Sequence, residues 1–119
     1  MSQKVFQMPY SKIYPLLLQK ALKKGRTQEE VDTVIQWLTG YTFDNIHHML
    51  ETDINCQQFF ENAPALNERR FLIKGSICGV KLEMIEDPLM QNIRFLDKLI
   101  DVLARGKSLD KILRKKNII

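Results

Sequence analysis

The stretch FLIKGSICGVKLEMIED, residues 71–87, decides the fold class. As a strand, its second half VKLEMIE alternates apolar and polar, and Gly75 and Gly79 sit poorly in a helix, at about 1 kcal/mol each against alanine. As a helix, Ile73, Ile77, Val80 and Met84 form one stripe, and Phe71, Gly75, Cys78, Leu82 and Ile85 form a second. Two stripes suit a central helix with neighbours on both sides, and glycines four apart permit close helix approach. The helical reading is preferred. It makes the chain an all-α domain of six or seven helices; the alternative is an α+β fold with a small hairpin in residues 70–85.

C-terminal to this stretch lies the clearest element. Asp87 reads as an N-cap and Pro88 as the first helical residue. Leu89, Ile93, Leu96, Ile100 and Leu103 then recur at helical spacing, and Phe95, Leu99 and Val102 widen the apolar arc to about half the helix. That is more than one neighbour needs, so helix 88–105 is a candidate self-association surface. Asp101 and Arg105 are spaced to pair on the wet side. Gly106 ends the helix, and Ser108 is placed to cap a last short one that docks through Leu109, Ile112 and Leu113.

On the N-terminal side, SKIYPLLLQKALKKG carries Ile13, Leu17, Leu18, Ala21 and Leu22 at helical period. Pro15 belongs near a first turn, which puts the start at Tyr14 or Pro15, and Gly25 ends the helix. TQEE, residues 27–30, is a capping box for a helix burying Val31, Val34, Ile35 and Leu38. In VIQWLTGYTF, residues 34–43, Gly40 is a natural helix terminator and Thr42 can cap a short helix through Ile46, Met49 and Leu50. Trp37 and Tyr41 flank that corner. They read as packing there, and as a candidate partner surface together with Phe95, Leu99 and Val102. Asp53 is placed to cap a further helix through Cys56, Phe59 and Phe60, before the polar loop NAPALNERR.

Composition narrows the class. The 119 residues are 45% hydrophobic and 27% charged, which suits one globular domain spanning 1–119 rather than a disordered chain. Two cysteines are too few for a disulfide framework, and neither a signal peptide nor an apolar run of about 20 residues is present, so a cytoplasmic location without membrane contact is expected. Net charge is +4, unevenly placed: residues 105–119 hold six basic residues against Asp110, so residues 1–104 sum to −1. Lys111, Arg114, Lys115 and Lys116 in this segment are candidate anion contacts.

No chemical motif rises above this background. The helix-turn-helix rhythm around Gly40 lacks a recognition surface, because its second helix offers Asp44, Asn45, His47, His48 and Glu51 and no Lys or Arg for phosphates. His47 and Glu51 have ligand spacing but no third partner, and His47 reads as a surface residue. Cys56 and Cys78 read as small core residues. Glycine-rich phosphate loops and a nucleophile elbow are missing from the sequence, and Asp87 has a capping role that removes it from any acid pair with Glu83 or Glu86. No catalytic, cofactor or metal residue is therefore assigned. The leading expectation is a helical interaction module with a protein partner or a second copy of itself. The alternatives are nucleic-acid association through the basic segment, and an enzyme whose site the sequence does not display.

SKIYPLLLQKALKKGRT, WLTGY, FFENAPALN, ICGV and EDPLMQNIRFLDKLIDVLARGKSLDKILRK are similar to a bacterial family of small proteins, domain of unknown function 2200, over about residues 4–116. The resemblance implies a stand-alone, single-domain bacterial cytosolic protein, and carries no activity, cofactor or site onto these residues.

Overall fold

Short-range caps set most element boundaries. The computed structural model describes residues 6–113, apart from Cys78 and the side chain of Asp110. Its α-helices are α1 (Tyr10–Leu22), α2 (Gln28–Thr39), α3 (Phe43–His48), α4 (Cys56–Glu61), α5 (Pro88–Ala104) and α6 (Leu109–Leu113). The Thr27–Glu30 capping box forms at α2, and Asp87 accepts hydrogen bonds from the backbone N–H groups of Leu89 and Met90 at α5. Thr42 caps α3 and Ser108 accepts the Lys111 N–H at α6. Three boundaries differ from expectation. A bridge between Pro9 and Asn55, with Tyr10 N–H donating to the Ile54 carbonyl, starts α1 at Tyr10 and leaves Pro15 inside it. Asn55, not Asp53, caps α4, and it does so reciprocally with Gln58. Beyond His48 the chain tightens into a 3-10 turn over Met49–Glu51.

Residues 71–87 do not form the preferred helix. A 3-10 turn over Glu68–Leu72 leads into a two-stranded antiparallel hairpin, β1 (Ser76–Ile77) and β2 (Val80–Lys81), followed by a second 3-10 turn over Leu82–Met84. Gly75 and Gly79 adopt φ of 107° and 81°, a region closed to a right-handed helix and costly for residues with a Cβ. The hairpin alternative was thus correct for this segment inside a mostly helical fold. The arm is pinned to α5: Leu82 is fully buried, its carbonyl accepts from Gln91, and Lys98 donates to the Ser76 carbonyl.

α5 is the hub. It packs against α1, α2, α4, α6 and the hairpin arm, which explains an apolar arc too wide for one neighbour. Phe95 and Leu99 are each 2% exposed, and Val102 is half-buried. α1 and α5 lie side by side in the same direction, since Ile13 and Leu17 face a hollow shared with Ile93 and Leu96, and Lys20, a turn further on, reaches Asp101. Around Tyr10, Tyr41, Phe59 and Phe60 the rings stack, tilt or meet edge-on at 4.8–5.2 Å.

Candidate functional site

Two features have the geometry of a site, and a third, the corner around Gly40, holds the aromatic residues that the sequence suggested. The first is a recess between α1, α4 and α5, with a volume of about 160 Å³. Helical spacing puts Ile13, Leu16 and Leu17 on one face of α1, and Ile93 and Leu96 with Asp97 on the facing side of α5; Phe60 and Cys56 of α4 close the floor. Its walls are mostly carbon. At its edge Arg94 Nη1 meets Asp97 Oδ2 at 3.1 Å. Burial pushes the Asp97 carboxyl above the usual range, against the pull of Arg94 and Lys20. Burial, then nearby Asp97, pushes the Cys56 thiol up to about 12, so this cysteine is a neutral wall rather than a nucleophile. Leu16 stands at the lip, 61% exposed.

The second is a polar network under the helical corner. Asp32, 4% exposed, accepts from the Tyr14 hydroxyl at 2.5 Å through Oδ1, and its Oδ2 lies 2.6 Å from His47 Nε2. A carboxylate only accepts, so this contact puts a hydrogen on Nε2 of His47. Gln28 donates to the Tyr14 hydroxyl, whose pKa is raised first by burial and then by Asp32. The His47 side chain is 43% exposed, not a free surface residue but an anchored one. One carboxylate thereby joins α1, α2 and α3. Among the described residues no three His, Cys, Asp or Glu side chains gather as a metal site, so the His47–Glu51 spacing gains no third ligand. Asp32 was absent from the sequence-derived candidates, although it lies three residues before buried Ile35 and seven before buried Thr39, on the inward face of α2. That placement is the available signal.

The third is the VIQWLTGYTF corner, where Tyr41 is spent in the core and Phe43 is exposed. The Tyr41 hydroxyl donates to the Phe59 carbonyl at 2.7 Å, and Tyr41 is buried; Trp37 is half-buried against the core. The loop after α4 returns to cap α2, with Ala65 N–H donating to the Thr39 carbonyl, Asn67 N–H to that of Leu38, and Asn67 Nδ2 to that of Trp37. Gly40, at φ 84°, lets this loop approach: a Cβ there would stand 2.9 Å from Ala65. Trp37, Tyr41, Phe95, Leu99 and Val102 are therefore not gathered on one open face. Lys111 is exposed on α6, and Arg114, Lys115 and Lys116 lie outside the described residues. Asp101 pairs with Arg105 Nε at 3.1 Å as its spacing suggested, but on a mostly buried side chain that Lys20 also reaches at 3.4 Å.

Fold and site together define a small, mostly helical protein with an apolar recess beside its hub helix and a buried acid joining α1, α2 and α3. No helix among the described residues is long and apolar enough to cross a membrane. The chain belongs to the family described as "Uncharacterized protein conserved in bacteria (DUF2200)", which matches residues 4–114. It is also similar to a solved structure, "Crystal structure of uncharacterized protein SP1917", at 44% identity and a TM-score of 0.93, over 98% of this chain and 96% of that one. No functionally curated protein matches it.

Proposed function

We propose that this protein is a helical binding module that takes a small apolar group of a partner, such as one aliphatic or aromatic side chain, into the recess between α1, α4 and α5. The observation that carries this reading is the recess itself: about 160 Å³ walled by Ile13, Leu17, Phe60, Ile93 and Leu96. A dry cavity of about 150 Å³ with such walls holds benzene. Covering an exposed leucine such as Leu16 adds roughly 1.5–3 kcal/mol when complete. The Arg94–Asp97 pair at the edge offers a donor and an acceptor that orient the polar end of the incoming group.

A protein partner is the favoured source of that group, and a second copy of the chain is one form of it. Self-association would use the recess side of α5, since Phe95 and Leu99 are spent in the core. An indole titration followed by amide NMR tests the reading. Shifts confined to residues 13–17, 56–60 and 93–97, and saturating with concentration, are expected; no shift at millimolar indole would refute it.

A further inference from the structure

Two basic stretches that the sequence keeps about 80 residues apart meet at one end of the molecule. Because α1 and α5 run side by side in the same direction, their C-terminal ends are neighbours. Asp101 marks the junction: Lys20 of α1 lies 3.4 Å from Oδ1, and Arg105, which follows α5, lies 3.1 Å from Oδ2. Lys23 and Lys24 extend the first arm and Lys107 the second, and all three are exposed. Arg26 is excluded from the group, since Glu30 neutralises it through two hydrogen bonds. Among the described residues no carboxylate pairs with Lys23, Lys24 or Lys107.

The ordinary role of such cations is to answer the negative ends of helices. Two helix ends carry about half a unit charge each. With Asp101, that makes roughly two negative charges against five cations, leaving an excess of about three. Five cations and one carboxylate also hold a formal +4, equal to the net charge of the whole chain, so all other residues together sum to zero.

We infer that the paired ends of α1 and α5 form a docking surface for double-stranded nucleic acid, gripped through its phosphates. Lysine ammonium groups and one exposed guanidinium suit phosphate oxygens without reading bases. A duplex is favoured over a single strand, because residues 19–26 and 101–107 contain no aromatic ring on which unpaired bases would stack. A membrane surface is disfavoured, because Leu22 is the one large apolar side chain exposed in those two stretches, too little to anchor at a lipid interface. This surface is separate from the recess and does not depend on what the recess binds.

Fluorescence anisotropy of the full chain with a mixed-sequence duplex of about 20 base pairs tests it, read against salt. The expected slope of log K on log salt is about −4.5 if all five cations contact phosphates. Lys23→Glu with Lys24→Glu, and separately Arg105→Glu with Lys107→Glu, should each weaken binding at least about tenfold and reduce the slope by about 2, with unchanged circular dichroism. Lys81→Glu, on the hairpin, should leave binding as it was. Absence of binding at low salt would overturn the inference. So would binding unaffected by the Lys23/Lys24 pair, which would place it in the chain after α6 alone, and so would preference for phosphatidylserine vesicles over duplex.

Discussion

Tyr14 and Asp32, eighteen residues apart in sequence, meet at 2.5 Å in the interior, with the hydroxyl of one donating to the carboxylate of the other. His47 takes the second oxygen of the same group. Three helices are therefore fixed by one side chain, and the cost of disturbing it is calculable. Tyr14→Phe keeps the ring and removes one donor to a buried carboxylate, a loss of about 1.5–3 kcal/mol. Urea unfolding should show a lower midpoint with an unchanged slope. Equal stability would mean that the hydroxyl is not carrying Asp32.

Glu30 gives a pH signature of known sign. Arg26 first, and then the Thr27 backbone N–H, hold its carboxyl below the usual range of about 4.5 despite some burial. A depressed acid stabilises the fold above its ordinary range, and that contribution is lost as pH falls toward the folded value. Glu30→Gln should be less stable than the parent at pH 7, with the gap closing as the pH drops through about 4.5. A gap constant from pH 7 to about pH 3 would assign the loss to the capping geometry alone.

Gly40 and Gly79 have nearly the same φ, 84° and 81°, in different surroundings. A Cβ at Gly79 meets nothing within 4 Å, whereas at Gly40 it meets Ala65 at 2.9 Å. Gly79→Ala should cost about 1–2 kcal/mol, the left-handed penalty alone. Gly40→Ala should cost clearly more, since the loop that caps α2 must also move. Thermal melts of the two variants, compared directly, check the order; equal shifts would show that the Ala65 contact yields freely.

What was legible in the sequence was local. Thr27 with Glu30, Gly40, Thr42, Asp87 with Pro88, and Ser108 all act within four residues, and each stands where its neighbours required. Residues 71–87 were ambiguous because an i, i+4 apolar pattern also suits two 3-10 turns around a tight hairpin; the glycines decided it, by needing positive φ. The Asp32 network was not legible. Its three members come from three helices, and a lone acid beside Val31 looks like any solvated face until the wheel is aligned on Ile35 and Thr39. The apolar arc of α5 was seen correctly, but its width reflects five neighbours in the fold rather than a free face.

Cys56 reports on the floor of the recess. With its thiol pushed up to about 12, the thiolate fraction at pH 8 falls by roughly three orders of magnitude against a free cysteine. In a Cys78→Ser background, a disulfide reagent should therefore modify Cys56 in the native protein at least about 10³-fold more slowly than in urea. Comparable rates would mean that the floor is open to solvent.

Calorimetric titration of the wild type and of Ile13→Trp with indole bears most directly on the binding role of the recess. The wild type should bind one equivalent with a negative heat-capacity change, the mark of apolar burial. Ile13→Trp, which fills the space from the α1 wall, should bind none while melting cooperatively. Equal binding by both proteins, or by neither, would contradict the assignment of the recess as the binding site.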